Sequence, residues 1–318
     1  MIRGSTTSLD PRQLTEQSGA LVFSRHQMHG RSPDLSMEYL DPSSDTIAVG
    51  LAYGPLVPEF VAESPGLIDY VEVPFEQLLH SPEVGSIQDS LPVILHCASL
   101  SVAGFVPPED ATLKLIDREA RRTKTPWIGE HLAFITANPL ELESRSTPPT
   151  ALTYTVCPQL SEETVEQVAY NLSRFRPLFN VPVILENSPQ YFDVPGSTMR
   201  MTEFIGAVVE RCNVGLLLDL THFLISMLNT EQDAAREIDR LPLEHVVEVH
   251  ISGLNVQSGI AWDDHATPAT EPVFDLLQHI LKRVRPRAVT LEYNWSPSFP
   301  RSTLKKHIER VNQMVRNQ

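Results

Sequence analysis

The sequence predicts a single-domain α/β fold, a (β/α)8 TIM-type barrel preceded by a polar N-terminal extension. Three observations predict it. Eight short runs rich in Val, Ile and Leu, nearly continuous as buried parallel strands are, alternate with longer amphipathic segments. The chain has 318 residues, enough for one such barrel. Acids and histidines fall in the later half of the apolar runs or just beyond them, where barrel strands deliver side chains to the C-terminal mouth.

Residues 1–45 are rich in Ser, Pro, Arg, Asp and Gly with little periodicity, and are expected to be a flexible or loosely docked extension. Residues 46–318 are expected to form the barrel, a metalloenzyme domain. The expected strands are "IAVGLAY" (47–53), "YVEVPF" (70–75), "VILHCA" (93–98), "WIGEHLAF" (127–134), "VPVILEN" (181–187), "VGLLLDLTH" (214–222), "VVEVHISG" (246–253) and "AVTLEYNW" (288–295). Between them, 107–123 opens with Pro and acid and ends basic, as helix termini prefer. Ser161 is the expected N-cap of a helix over 161–175, with Glu162 and Glu163 in its first turn. Segments 198–212 and 271–284 carry apolar residues at i, i+3 and i+4, and a helix over 302–315 closes the chain. Residues 135–160, rich in Pro and Thr, read as one long loop after the fourth strand, a candidate wall over bound substrate.

Composition narrows the function. A net charge of −15 argues against a phosphate-backbone binder, so no nucleic-acid partner is expected. No apolar run approaches the ~20 residues that span a bilayer, and the N-terminus lacks a signal-peptide core, so no membrane partner and a cytoplasmic location are expected. The three cysteines, Cys97, Cys157 and Cys212, form no C-x-x-C pair and are odd in number, which argues against a thiolate zinc knuckle and a disulfide framework.

The polar residues carry the functional argument. Taken in strand order, they are Glu72, His96, Glu130 with His131, Glu186 with Asn187, Asp219 followed by His222, and His250. Asp263, Asp264 and His265 follow in a loop, and Glu292 lies on the last strand. Five of the eleven histidines are in this set. That many carboxylates in one pocket repel and raise each other's pKa, and cations resolve the conflict. Imidazole and carboxylate donors without thiolates suit Fe, Mn or Zn, and their surplus implies two or three ions. Glu72, Glu130, Asn187 and Asp264 are expected to orient the ligands or to join them. On the residues alone, a metal-dependent isomerase or hydrolase of the xylose isomerase-like barrel type, acting on a small molecule, is the alternative to an oxidative enzyme.

These residues sit in segments that resemble a known family. They are "VGLAYG" (49–54), "LHCASLSV" (95–102), "GEHLAF" (129–134), "ILENSPQYFDVPGSTMRMTEF" (184–204), "GLLLDLTHFLIS" (215–226), "VVEVHISG" (246–253), "DDHATPA" (263–269) and "LEYNW" (291–295). The chain resembles the multinuclear non-haem iron-dependent oxidative enzymes, domain-of-unknown-function family 692, from about residue 47 to the C-terminus. The resemblance implies a TIM-type barrel with two or three iron ions (Fe2+/Fe3+) and O2 as co-substrate. It implies metal ligands at His96, His131, Glu186, Asp219, His222, His250, Asp263, His265 and Glu292. It also implies a ribosomally made precursor peptide as substrate, often modified at cysteine, and a separate partner protein that recognises its leader. Two departures stand out: Leu254 occupies a position where many members have a second histidine, and His222 one where many have asparagine.

Overall fold

The computed structural model describes residues 46–137, 150–293 and 299–317. The extension over 1–45 lies outside the described residues. In chain order the strands are β1 (Ala48–Ala52), β2 (Tyr70–Pro74), β3 (Val93–Cys97), β4 (Ile128–His131), β5 (Phe134–Ala137), β6 (Thr150–Val156), β7 (Val183–Glu186), β8 (Gly215–Asp219), β9 (Val246–Ile251), β10 (Leu254–Gln257), β11 (Ile260–Asp263) and β12 (Ala288–Leu291). Eight of them close an all-parallel barrel in the order β1-β12-β9-β8-β7-β4-β3-β2. All eight expected strand regions are barrel staves, each trimmed at its ends.

Helices over Asp110–Thr123, Glu162–Phe175, Met201–Cys212, Glu271–Leu281 and Arg301–Arg316 cover the barrel. Ser161 caps the second of these, accepting from the Thr164 amide at 3.4 Å. The helix Leu220–Asn229 starts at once where β8 ends, so the expected strand over 214–222 stops at Asp219 and His222 lies in a helical first turn.

Two departures from the sequence reading involve hairpins. The region 135–160 is not simply a loop: β5 and β6 pair antiparallel, on either side of residues 138–149, which lie outside the described residues. The segment after β9 is also a hairpin, β10 with β11, so Asp263 ends a strand. Both pairs are partly exposed and leave the barrel wall, so neither shows the continuous apolar run that marks a buried stave.

Side chains facing the barrel axis fall in layers. Tyr70, Ile94, Trp127, Ile184, Leu217, Val247 and Ala288 form an apolar cluster of their own inside the barrel, separate from the larger core between barrel and helices. Small residues make room for large ones. A Cβ on Gly50 would lie 2.3 Å from two ring carbons of Tyr70, and one on Gly129 would lie 2.8 Å from His96 Nδ1. Replacing Gly50 by Ala is therefore expected to push Tyr70 off its contacts and to destabilise the barrel by about 1–3 kcal/mol. Urea unfolding checks this, and an unchanged midpoint would contradict it.

Candidate metal centre

The register of the staves brings acids and imidazoles side by side. His131 on β4 is the neighbour of Glu186 on β7, and Asp219 on β8 is the neighbour of His250 on β9. Both pairs lie at the C-terminal ends of their strands, so they share one mouth.

Glu186 is at the centre and 1% exposed. Its Oε2 lies 3.3 Å from His96 Nε2 and 3.2 Å from His131 Nε2. Its Oε1 lies 3.5 Å from both His250 Nδ1 and His222 Nδ1. The two oxygens thus face two different sets of partners. His250 Nδ1 also lies 3.2 Å from Glu292 Oε2. On the far side, Asp263 Oδ2 is 3.1 Å from His222 Nε2 and 2.5 Å from His265 Nε2.

Backbone carbonyls orient three of the imidazoles. His131 Nδ1 lies 3.3 Å from the Cys97 carbonyl, His222 Nδ1 3.0 Å from that of Asn187, and His265 Nδ1 3.0 Å from that of Glu292. A carbonyl only accepts, so each Nδ1 carries a hydrogen, and each Nε2 is the nitrogen left to hold an ion or, where none is bound, a proton. His265 is held this way in a left-handed conformation, φ +52°, which imidazole-bearing residues tolerate better than most.

The carboxylates divide their oxygens in a similar way. Asp219 Oδ1 accepts from the His222 amide at 2.6 Å and caps the helix that begins there, while Oδ2 has no hydrogen-bond partner and lies 4.0 Å from His222 Nδ1. Asn187 bridges β7 and β8, donating to the Asp219 carbonyl and accepting from the Asp219 amide, both at 2.9 Å. Glu72 Oε2 lies 3.0 Å below His250 Nε2.

Four groups result, each with ligand atoms within 4.8 Å of one another: Glu72–His96–His250, His96–His131–Glu186 and Glu186–Asp219–His250–Glu292, which share residues, and His222–Asp263–His265, which shares none. Together they take in all nine residues expected as ligands, with Glu72 as a tenth. Asp264 and Glu130 stand apart from these groups. Asp264 folds back on its own turn, accepting from the Ala266 amide at 3.0 Å. Glu130 points out of the barrel and accepts from the Leu100 amide at 3.0 Å, holding the loop after β3. Sequence reasoning passed over Glu76, which holds the same loop through the Ala98 amide at 3.2 Å and Ser99 Oγ at 2.5 Å. It also passed over Glu248, fully buried under His250. The motif V-E-V-H shows Glu248 two residues before His250, on the same face of the strand, and that spacing was the available signal.

The donor set fits a metal. Both nitrogens of His96, both carboxylate oxygens of Glu186, Asp219 Oδ2 and Asp263 Oδ1 are buried and lack a hydrogen-bond partner. Such atoms are costly in a protein interior unless something satisfies them. The donors are nitrogen and oxygen without thiolate, which suits iron, manganese or zinc.

Without an ion, protons carry the balance. Burial works against a charge on His96, but Glu72 and Glu186 outweigh it and raise its pKa to about 10. Burial likewise opposes charge on His265, while Glu292 and Asp263 raise it to about 10. Burial also raises Glu72 above the ordinary carboxylate range. All three bind protons more tightly folded than unfolded. Their stabilisation is complete below the unfolded pKa, near 6.5 for the imidazoles and 4.5 for Glu72, and is lost as pH rises through about 10 for the imidazoles and about 7 for Glu72. The metal-free protein is therefore expected to lose melting temperature between about pH 6.5 and pH 10, with a much smaller loss when metal is bound. Calorimetry across that range checks this, and equal profiles with and without metal would contradict it.

A TIM-type barrel whose mouth gathers imidazoles and carboxylates defines a class of metal-site barrels. Comparison with known proteins is more specific: residues 48–316 match the family described as RiPP precursor modification enzymes MbnB/TglH/ChrH. The chain belongs to that family, the multinuclear non-haem iron-dependent oxidative enzymes. Its relatives include a UPF0276 protein of Streptomyces avermitilis, 29% identical over 257 residues that cover 78% of this chain and 51% of that protein. Another, from Paraburkholderia phytofirmans, is 28% identical over 222 residues, 68% of each. The match thus spans only about half the length of the Streptomyces protein. Among solved structures, D-psicose 3-epimerase from Clostridium cellulolyticum H10 superposes with a TM-score of 0.53 at 13% identity, covering 85% of this chain and 99% of the other. A D-tagatose 3-epimerase-like protein gives 0.53 at 17% identity, covering 85% and 98%. At such identities the likeness shows the fold alone. No helix among the described residues is long and apolar enough to cross a membrane.

Proposed function

We propose that this chain holds two or three iron ions in the barrel mouth and uses O2 to modify a ribosomally made precursor peptide, with cysteine as the modified residue. The observation that carries this reading is the sharing of Glu186 between two groups of donors, one on each of its oxygens. A single ion would not need both groups, whereas two neighbouring ions would, with Glu186 a donor common to both.

In this reading His96, His131 and Glu186 hold one ion, and Glu186, Asp219, His250 and Glu292 hold a second. His222, Asp263 and His265 hold a third, where His222 supplies an imidazole in place of the asparagine of many members. Bound iron supplies the redox chemistry and O2 activation that no side chain provides. The protein's own residues do the rest. The carbonyls of Cys97, Asn187 and Glu292 fix the imidazoles, and Asn187 locks the ends of β7 and β8. Burial keeps bulk water from Glu186 and Asp219.

The surface around the mouth supports a peptide substrate. Phe105, Tyr154, Phe192, Ile260 and Trp262 are exposed, and all lie on segments that leave the C-terminal ends of barrel strands. Trp262 stacks on Tyr191 at 4.5 Å beside Asp263. Exposed apolar side chains concentrated at a site mark a binding surface. A separate leader-recognising protein would complete the assembly.

Two experiments test the reading. Glu186→Ala is expected to lower bound iron by more than one ion per chain, whereas His265→Ala lowers it by no more than one. Metal analysis of purified variants checks this, and equal losses would contradict the shared-carboxylate arrangement. Co-expression with a short Cys-containing peptide encoded beside the gene is expected to give a mass change that requires iron and air. Full turnover by zinc-loaded protein would overturn the oxidative function.

A further inference from the structure

The helix Leu220–Asn229 carries His222 in its first turn and fastens the rim of the mouth at its other end. The Asn229 side chain makes three hydrogen bonds there. Its Nδ2 donates to the Gln190 carbonyl at 3.0 Å and to the Ala261 carbonyl at 2.9 Å, and its Oδ1 accepts from the Ala261 amide at 2.8 Å. One turn earlier on the same helix face, Ser226 Oγ accepts from the Gln190 amide at 2.8 Å. The helix thus ties the segment after β7 to the hairpin strand β11. The residues that follow the two tied positions are Tyr191 and Trp262, whose rings stack with centroids 4.5 Å apart and planes 27° apart.

The stacked pair leads from the donor groups to the surface. Tyr191 is half-buried, and its hydroxyl is pushed up to about 12 by burial and then by the neighbouring charge of Asp263. Its polar end therefore lies by the His222–Asp263–His265 group. Trp262, at the outer end, is 38% exposed. Ile260, two residues earlier on β11, shares its face of the strand and is also 38% exposed. Asp263 is on the opposite face, turned toward His222 and His265. An aromatic ring is usually fixed by burying both of its faces. This one is fixed by a stack and by polar contacts behind it, and it still presents apolar surface to solvent. A ring ordered in advance offers contact area with little further loss of entropy on binding. Its neighbour on that face, Ile260, is apolar, so the group it matches is an apolar side chain. An extended peptide advances about 3.3 Å per residue, so a side chain resting on Trp262 belongs to a residue a few positions from the one at the donor groups.

We propose that the Tyr191–Trp262 stack is a specificity subsite, in which Trp262 receives an apolar side chain of the peptide a few positions from the modified residue, and that Asn229 is the positioning residue that sets the stack before the peptide arrives. The proposal rests on the peptide-modifying reading above and adds to it the residues that select a flanking side chain.

The test uses the iron-loaded full chain and the short Cys-containing peptide encoded beside the gene. Trp262→p-benzoylphenylalanine, irradiated with the peptide in the absence of O2, is expected to crosslink to an apolar residue near the modified position, located by mass spectrometry. Tyr170→p-benzoylphenylalanine, at an exposed position on the helix Glu162–Phe175, is expected to give no crosslink. In air, Trp262→Ala is expected to raise KM about tenfold with bound iron unchanged, as loss of an aromatic anchor does, and Trp262→Phe to recover most of that loss. Asn229→Ala is expected to raise KM in the same direction and to weaken the near-ultraviolet circular dichroism of the stack. If Asn229→Ala does not fold, the Trp262 variants carry the test. A wild-type KM in Trp262→Ala, a crosslink from position 262 to a charged residue, or no more crosslinking there than at position 170 would overturn the subsite. A wild-type KM in folded Asn229→Ala would overturn its positioning role. A wild-type chain that leaves the peptide unmodified in air would overturn the peptide-modifying reading instead, and the wild-type reaction shows this separately.

Discussion

The structure depends on one electrostatic arrangement: Glu186, at the end of a buried strand, facing four imidazoles with water excluded. A carboxylate in that position is tolerable only with positive charge close by on both of its oxygens. His96 and His131 stand at one oxygen, and His250 and His222 at the other. Protons on His96, His222 and His250, each raised in pKa by the carboxylates around it, Glu186 among them, supply that charge when no ion is bound. Metal ions supply it more completely, because one cation satisfies several lone pairs that protons leave unpaired.

The barrel makes this arrangement rigid. Its parallel staves fix the heights of the side chains, so His131 and Glu186 meet by register, as do Asp219 and His250. The apolar cluster around Tyr70, Trp127 and Leu217 fills the interior below and leaves the polar groups nowhere to relax. Backbone carbonyls then set the imidazole orientations. The economy extends to Asp219, which starts a helix with one oxygen and faces the cluster with the other. Precision at the mouth is therefore inherited from secondary structure rather than from flexible loops.

Most of this was legible in the sequence because buried parallel strands advertise themselves. Runs such as Val181–Glu186 and Val214–Asp219 are apolar on both faces, and a polar residue at the end of such a run has few places to point other than the mouth. Two hairpins were not legible. Thr150–Val156 lies in a stretch rich in Pro and Thr, and Leu254–Gln257 is four residues long, so both resembled loops. Glu130 and Asp264, expected to orient the ligands or to join them, adjoin His131 and lie between Asp263 and His265 in the sequence. Adjacent strand residues point to opposite faces, which sends Glu130 outward, and Asp264 is drawn into its own turn. Glu248 was missed because it stands one layer below the mouth, inside an apolar run that already contained the more conspicuous His250.

The chain belongs to the RiPP precursor modification family, and the solved structures that share its fold include sugar epimerases. What separates this chain from a generic metal-site barrel is the number of donors around Glu186. The most direct measurement is a crystal structure of the iron-loaded protein with anomalous diffraction on either side of the iron edge. The account predicts at least two iron peaks flanking Glu186, one beside each of its oxygens. A single peak, or none with the imidazoles still paired directly to the carboxylates, would contradict it.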